Sequence, residues 1–199
     1  MRCLHCTINI QNNAPKPAGI GSPRQSAGYS ARPFDALENA MRIIHTIPPV
    51  FDENSRLLIL GSFPSVKSRE AQFFYGHPQN RFWRVLAAIF DEPVPGSHDE
   101  KRKLLLSHGV ALWDVVAECD IEGSADNKIS NAVPNDLSPI FARCDIRRVF
   151  VNGRTAQALY DRLLRPATGR DAIYLPSTSP ANAAYSLERL TREWRMITK

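Results

Sequence analysis

The segment RLLILGSFPS, residues 56–65, decides the fold that the sequence predicts. Its apolar half is typical of a strand buried on both faces, and its polar half is a turn signal of glycine, serine and proline. Three later segments have the same character: GVALWDVV (109–116), IRRVFVNG (146–153) and AIYLPSTS (172–179). The sequence therefore predicts four buried strands.

Helical patterns lie between these strands. Residues 82–90 have one apolar stripe at helical spacing. Ser97 and Glu100 have the spacing of a capping box and predict a helix that begins there and stops at Gly109. The remaining helix candidates are residues 36–47, 154–164 and 186–197.

Strands that alternate with helices predict an α/β protein, a three-layer α/β/α sandwich around a central, mostly parallel four-stranded sheet. Ligands bind such sheets at the carboxyl ends of the strands. The polar segments that follow the four strands should therefore meet at one edge, where we expect the functional site. These segments are GSFPS, WDVVAECD, NGRT and PSTSPANA.

Residues 1–34 differ in composition from the rest of the chain. They are rich in Pro, Gly, Ser, Asn and Gln and have few large apolar side chains. Such a segment buries too little apolar surface to offset the entropy lost on ordering. We therefore predict a disordered extension over residues 1–34 and one folded domain over residues 35–199.

The hydropathy of the sequence argues against a membrane-spanning or secreted protein. No apolar run reaches the length of about 18 residues that suggests a membrane span, and the N-terminus lacks the apolar core of a signal peptide. A cytoplasmic protein without membrane contact is expected.

The net charge is +5, but residues 1–34 carry four basic residues and no acid, which leaves 21 basic against 20 acidic residues elsewhere. Any nucleic-acid surface must come from local clustering.

The four cysteines do not predict a metal site. Cys3 and Cys6 form a CxxC motif in the predicted extension, and Cys119 and Cys144 are isolated. Reduced cytosolic thiols need no partner. We therefore predict no metal and no cofactor, an iron–sulfur cluster included.

Common enzyme motifs are missing from the predicted edge. The sequence has no GxSxG, no GxxxxGK[ST] and no GxGxxG after the first strand. The edge offers amides, hydroxyls and an aromatic ring instead: Ser62, Tyr75, Gln79, Asn80, Asn152, Ser177, Ser179 and Asn182. Such groups suit a flat heterocycle that stacks on a ring and is read by hydrogen bonds along its edge.

Four motifs together resemble the uracil-DNA glycosylase superfamily, and most closely its hypoxanthine-DNA (DNA-deoxyinosine) glycosylase branch. They are GSFPS, FFYGHPQNRFW, VNGRTAQALY and LPSTSPANA, and the likeness runs from about Pro48 to the end. The resemblance implies a cofactor-free enzyme that excises a deaminated base from double-stranded DNA. Hypoxanthine is the first candidate, and uracil and xanthine are others. Without a suitable Lys in these motifs, a monofunctional enzyme that leaves an abasic site is expected, acting as a monomer.

The resemblance also implies roles for individual residues. Asn80, in HPQN, is the implied catalytic amide and would orient the attacking water. Tyr75 would stack on the extruded base. The other implied base-binding residues are Ser62, Phe63, Asn152 and Ser177, and the implied DNA contacts are Ser65, Ser179, Pro180, Ala181 and Asn182.

Two positions depart from the better-known branches. Those branches carry Asp or Asn where this chain has Phe63, so the handling of water cannot come from that position. They carry His where this chain has Ser177, which implies weaker stabilisation of the leaving base.

Simpler structural roles stay open for several of these residues. Asn80 could cap the helix that follows it, Tyr75 could belong to the core, and Asn152 with Gly153 could be only a turn. His77 is expected to bond within its turn, and Phe82 is expected in the core. Phosphate contacts or plain surface positions are both open for Arg69, Arg81, Arg143, Arg147 and Arg148.

Two other functions compete with base excision. One is a non-catalytic nucleic-acid-binding member of the same fold. The other is a small-molecule hydrolase that uses a serine at the edge of the sheet.

Overall fold

The computed structural model describes residues 41–121 and 129–199. The predicted extension over residues 1–34 lies outside the described residues. The strands are β1 Met41–Ile44, β2 Leu57–Gly61, β3 Val110–Asp114, β4 Val116–Ile121, β5 Ile129–Pro134, β6 Arg148–Asn152 and β7 Ala172–Leu175. The helices are α1 Val66–Ala71, α2 Phe82–Phe90, α3 His98–Ser107, α4 Ser138–Arg143, α5 Arg154–Leu163, α6 Arg165–Thr168 and α7 Leu187–Trp194, which continues into a 3-10 turn, Arg195–Thr198.

The four predicted strands form one parallel sheet in the order β3-β2-β6-β7. In the centre, β2 pairs with β3 on one side and with β6 on the other. At the carboxyl end of this pairing, Gly61 lies opposite Asp114. The prediction of a parallel four-stranded sheet is confirmed.

Apolar clusters cover both faces of this sheet. Along β2, Leu58 and Leu60 point into one cluster and Ile59 into the other, as the two-residue period of a strand requires. The first cluster includes Tyr160 of α5, and the second includes Trp194 of α7. Helices thus lie on both faces, and the three-layer α/β/α architecture is confirmed.

The predicted capping box begins α3. The Ser97 hydroxyl accepts from the Glu100 backbone N–H, and the Glu100 carboxylate accepts from the Ser97 and Gly96 N–H groups. These backbone hydrogen bonds lower the pKa of Glu100. The helix ends at Ser107, and Gly109 has φ +66°, so the predicted stop is confirmed.

A second sheet was not predicted. It is antiparallel, with the order β1-β4-β5. The predicted helix over residues 36–47 is wrong in its described part, because Met41–Ile44 forms β1 and pairs with β4. Met41 and Ile44 are exposed, so their spacing did not mark a buried helical stripe, and backbone pairing with a distant strand outweighed local propensity. Residues 36–40 lie outside the described residues.

The predicted strand over residues 109–116 is in fact two strands. β3 ends at Asp114, and β4 begins at Val116 and joins the second sheet. The chain turns where the Val115 N–H donates to the Gly61 carbonyl at 2.9 Å. The short helices α1, α4 and α6 were also not predicted. No helix in the described parts of the chain is long and apolar enough to cross a membrane.

Candidate active site

A cleft of about 770 Å³ opens at the carboxyl ends of the parallel strands. Its walls come from the end of β3, from the segments that follow β2, β6 and β7, and from the loop between α1 and α2. The residues predicted at this edge line it with the exceptions of Gln79 and Pro180, and they are Ser62, Phe63, Ser65, Tyr75, Asn80, Asn152, Ser177, Ser179, Ala181 and Asn182. The structure thus brings these residues together, while their individual roles stay predictions.

Tyr75 has the geometry of a stacking platform. Its ring lies 3.9 Å, centroid to centroid, from the ring of Phe82, with an interplanar angle of 19°. Phe82 is fully buried, which confirms its core role, so it supports Tyr75 from behind. Tyr75 has φ +52°, a left-handed backbone that is uncommon for an aromatic residue. Such an outlier persists only when its surroundings impose it.

The surroundings of Tyr75 hold the loop closely. The hydroxyl of Ser68, the buried residue of α1, accepts from the Gly76 N–H at 3.1 Å. A Cβ atom at Gly76 would lie 2.8 Å from the Lys67 carbonyl oxygen, so only glycine fits there. The same loop contains the predicted turn, in which His77 Nδ1 accepts from the Gln79 N–H at 3.1 Å. The turn role of His77 is confirmed.

Asn80 supports the start of α2. Its Oδ1 accepts from the Phe82 N–H at 3.0 Å, a local bond that supports the structural alternative, while the N-cap position itself is Arg81. This bond does not exclude a second role, because Asn80 also lines the cleft. With Oδ1 engaged, the NH2 group of Asn80 is the part that is available for a ligand.

Asn152 forms a reciprocal pair with Thr178. Its Nδ2 donates to the Thr178 hydroxyl at 3.0 Å, and its Oδ1 accepts from the Thr178 N–H at 3.1 Å. The pair joins the end of β6 to the loop after β7. One N–H and one lone pair of the amide remain for the base reading predicted from the sequence.

The loop after β7 is braced by its own polar side chains. Ser177 Oγ accepts from the Ser179 N–H at 3.2 Å, and Ser179 Oγ accepts from the Ala181 N–H at 3.3 Å. Asn182 Nδ2 donates to the Ser177 carbonyl at 2.9 Å. The predicted DNA-contacting loop is therefore preformed.

Arg81 fixes the loop after β7 by hydrogen bonds to its backbone. Its guanidinium donates to four carbonyl oxygens, those of Thr178, Ser179, Asn182 and Tyr185. Burial lowers the pKa of Arg81 from its ordinary value. The guanidinium points at loop carbonyls, so the suggestion that Arg81 contacts phosphate is not supported, and we assign it a structural role.

The other arginines considered for phosphate contacts lie outside the cleft lining. Arg69 donates to the Pro64 carbonyl, Arg148 to the carbonyls of Met196 and Ile197, and Arg147 to Asp145. Arg143 lies over the ring of Phe51. Arg154, which the sequence did not single out, is exposed and lines the cleft. Its position at the start of α5, directly after β6, was the available signal.

Asp114 and His45 form a buried pair at the cleft. Asp114 ends β3, lines the cleft and is 4% exposed. Its Oδ2 lies 2.9 Å from His45 Nε2. His45 Nδ1 accepts from the Ile47 N–H at 3.1 Å, so Nε2 carries the hydrogen and donates to Asp114. The sequence placed Asp114 near the end of a strand but gave no sign of its partner, which is 69 residues away.

Metal ligands are not grouped in the described parts of the chain. No cluster of three or more His, Cys, Asp or Glu side chains there could hold a metal ion. Cys119 and Cys144 are buried, and neither forms a disulfide. Cys3 and Cys6 lie outside the described residues, so the prediction that no iron–sulfur cluster is present stays a prediction.

Comparison with known proteins finds two relatives that carry the same name. Two proteins named hypoxanthine DNA glycosylase match most of the chain. One, from Methanosarcina acetivorans, is 39% identical over 152 residues, which cover 75% of this chain and 94% of the relative. The other, from Methanosarcina barkeri, is 36% identical over 137 residues, which cover 68% of this chain and 85% of the relative.

The fold has a solved counterpart. A solution NMR structure of a Methanosarcina acetivorans protein matches with a TM-score of 0.66 and 34% sequence identity, over 80% of this chain and 100% of that one. The family model of the uracil DNA glycosylase superfamily matches residues 48–197. That range contains both sides of the cleft, from the turn after β2 to α7. The chain therefore belongs to the uracil DNA glycosylase superfamily.

Proposed function

We propose that this chain is a monofunctional DNA glycosylase that removes hypoxanthine from double-stranded DNA and leaves an abasic site. The observation that carries the proposal is the cleft itself, in which the Tyr75 ring, backed by Phe82, lines the same walls as amides and hydroxyls from the ends of β2, β6 and β7. Two relatives named hypoxanthine DNA glycosylase support hypoxanthine as the base. Uracil and xanthine have similar flat rings and are further candidate substrates.

The first step in the proposed mechanism is extrusion of the damaged nucleotide. Flipping costs a few kcal/mol, and it costs least at a mispair, which deamination creates. The extruded base enters the cleft and stacks on Tyr75, while the loop over residues 177–182 presses on the duplex near the vacated position. That loop is held by Arg81 and by its own hydroxyls, so little ordering entropy is lost on binding.

The second step is hydrolysis of the N-glycosidic bond. The bond breaks with oxocarbenium character, as in other glycosyl transfers. An amide has no basicity near neutral pH, so Asn80 contributes by orienting water and by its dipole. The described residues that line the cleft include no lysine. This absence of a Schiff-base nucleophile at the described walls supports hydrolysis without strand cleavage.

The serine hydrolase alternative receives no support from the geometry. Ser62, Ser65, Ser177 and Ser179 line the cleft, but no histidine is among its described lining residues. A serine nucleophile needs an adjacent base within hydrogen-bond reach. A monomeric state and a cytoplasmic location stay predictions from the sequence.

The test is incubation of the protein with a labelled duplex that contains one inosine. The proposal predicts free hypoxanthine and a strand that breaks only after hot alkali. A matched duplex with adenine at the same position is the control and should stay intact. Binding of the inosine duplex without base release would instead establish the non-catalytic alternative, and strand breaks without alkali would contradict a monofunctional enzyme.

A further inference from the structure

Ser68 is a buried polar residue of α1 that the mechanism above does not use. It is 2% exposed, and it is the buried residue of this six-residue helix. It also lines the cleft. A buried hydroxyl is costly unless it is hydrogen-bonded, so the partners of Ser68 indicate its role.

Ser68 holds the chain on both sides of Tyr75. Its carbonyl oxygen accepts from the Phe73 N–H at 3.1 Å, and its hydroxyl accepts from the Gly76 N–H at 3.1 Å. Phe73 lies two residues before Tyr75, and Gly76 follows it directly. The two hydrogen bonds attach this short segment to one residue of α1, so the position of the Tyr75 backbone depends on Ser68.

The backbone at Tyr75 requires such support. Its φ of +52° lies in the left-handed region, which is uncommon for an aromatic residue. A backbone of this kind is strained and persists only where neighbouring contacts impose it. The bond from the Gly76 N–H to the Ser68 hydroxyl is such a contact, and it keeps the Tyr75 ring at its stacking distance of 3.9 Å from Phe82.

The Ser68 hydroxyl has a second partner, at the cleft wall. Ser65 Oγ lies 3.0 Å from Ser68 Oγ and accepts from the Ser68 N–H at 3.3 Å. Ser65 is exposed, lines the cleft and is the N-cap of α1. The two hydroxyls therefore join a surface that DNA can reach to the backbone beside Tyr75.

The donors present determine how these hydroxyls can act together. A hydroxyl has one hydrogen and two lone pairs. When Ser68 donates its hydrogen to Ser65, the hydrogen of Ser65 remains for an acceptor in the cleft, and phosphate oxygens of DNA are acceptors that serine hydroxyls bind. The donors then point the same way, from Gly76 through Ser68 and Ser65 to the DNA. In such a chain each hydrogen bond strengthens the next.

We propose that Ser68 is a positioning residue that couples contact with a DNA phosphate at Ser65 to the position of the Tyr75 ring. A phosphate oxygen bound at Ser65 polarises the two hydroxyls and strengthens the bond to the Gly76 N–H. The ring is thereby fixed when the duplex is bound, before the base arrives. The inference rests on the proposed function and adds to it a coupling between backbone contact and base stacking.

The first test compares the affinities of Ser65→Ala for an inosine duplex and for an undamaged one. Fluorescence anisotropy gives both values, and the exposed position of Ser65 makes the substitution mild. An isolated phosphate contact would weaken both affinities equally. The coupling predicts a further loss of about threefold or more on the inosine duplex, the scale of one neutral hydrogen bond, because Tyr75 loses support. Equal losses on the two duplexes overturn the inference.

A double-mutant cycle tests whether Ser68 acts through Tyr75. Ser68→Ala should weaken binding of the inosine duplex by about threefold to tenfold in the wild-type background. In the Tyr75→Ala background it should cost less than about twofold, the usual limit of additivity, because the ring that it positions is gone. Equal losses in both backgrounds, as for a residue that only stabilises the fold, overturn the inference.

A matched control is available on α3. Ser107→Ala removes a hydroxyl that donates to the Leu104 carbonyl outside the cleft lining, and it should leave both affinities unchanged. If Ser68→Ala does not fold, the comparison of the two duplexes with Ser65→Ala still decides the inference.

Base release by the wild-type protein decides the proposed function separately. Binding of the inosine duplex without release of hypoxanthine contradicts the glycosylase, and the two affinity tests still decide the role of Ser68. Equal binding of the two duplexes by the wild-type protein contradicts base stacking on Tyr75 and overturns the inference with it. Release of hypoxanthine together with an additive cycle overturns the inference alone.

Discussion

Arg81 Nη2 donates to the carbonyl oxygen of Asn182 at 3.0 Å and so joins the start of α2 to the loop after β7. The same guanidinium also donates to the carbonyls of Thr178, Ser179 and Tyr185. Its neighbour Asn80 belongs to the segment that carries the proposed base platform. Arg81 therefore couples the position of the loop before α2, proposed to hold the base, to that of the loop after β7, proposed to contact the DNA.

The first prediction concerns the hydrogen bonds of Arg81 to the loop after β7. Arg81→Lys keeps the charge but lacks the planar fork that serves several carbonyls at once. The unfolding free energy should fall by about 1.5–3 kcal/mol, the range for hydrogen bonds to charged groups, and base release should slow at least about tenfold because the loop loses its position. Urea unfolding and single-turnover rates give the two values. Arg84→Lys, at an exposed position on the same helix, should change neither; equal effects of the two variants would remove the special role of Arg81.

Asn80 has two functions in this account, and two substitutions separate them. Asn80→Ala removes both the acceptor for the Phe82 N–H and the NH2 group, so it should lose about 1 kcal/mol of stability and most of the rate. Asn80→Ser keeps an acceptor oxygen near the Phe82 N–H, so it should retain more stability while its rate stays as low as that of Asn80→Ala. Binding of inosine DNA should persist in both. If the rate of Asn80→Ser recovers along with its stability, Asn80 is a structural residue only.

Tyr75 should contribute mainly to binding of the flipped base. Stacking of a base on an aromatic ring is worth about 1–3 kcal/mol, so Tyr75→Ala should weaken inosine-DNA binding by about 5- to 150-fold. Tyr75→Phe keeps the ring and its stack on Phe82 and should retain most of the affinity. Fluorescence anisotropy with inosine-containing and undamaged duplexes distinguishes this effect from general DNA binding. An equal loss on both duplexes would contradict base stacking by Tyr75.

Gly61 should tolerate no side chain. The added methyl of Gly61→Ala would lie 2.1 Å from Asp114 Oδ1 and would displace that carboxylate from the cleft floor. Activity on inosine DNA should fall at least about tenfold, consistent with a displacement of about 1 Å in an organised site. Gly96→Ala is the matched control, because its nearest neighbour, Glu100 Oε2, would lie 3.5 Å away. Comparable activity of Gly61→Ala and wild type would show that the floor is not part of the site.

The parallel sheet and its edge could be predicted from the sequence because the signal is local. Strands buried on both faces, such as β2, read as continuous apolar runs, and the strand ends of a parallel sheet must meet. Ser62, Asn152 and Ser177, which lie at or just after strand ends, could therefore be placed in one cleft from the sequence.

The error over residues 36–47 and the missed partner of Asp114 have one cause. β1 is a strand because of its pairing with β4, in which the paired residues are 74 to 80 positions apart in the chain. His45 continues that pairing through its N–H, which donates to the Ala117 carbonyl at 2.7 Å. A segment read as an isolated helix gave no reason to connect His45 with Asp114. Contacts between distant segments carry no local sequence period, so single-sequence patterns cannot show them.

The sequence also did not show that one polar side chain can both stabilise the backbone and line the cleft. Asn80 and Asn152 both bond to backbone N–H groups while they line the cleft. Sequence patterns present capping and ligand binding as alternatives, but an amide has two polar ends and can serve both. Only the geometry of each end distinguishes the roles.

The central claim is that this cleft excises a deaminated base from DNA. Its most direct test is the single-turnover rate of hypoxanthine release from a duplex with one inosine opposite thymine, against adenine release from the matched duplex. We predict that hypoxanthine is released at least about a thousandfold faster, a ratio within the range of sites built around a specific hydrogen bond. No release of hypoxanthine, or equal release of both bases, would contradict the claim.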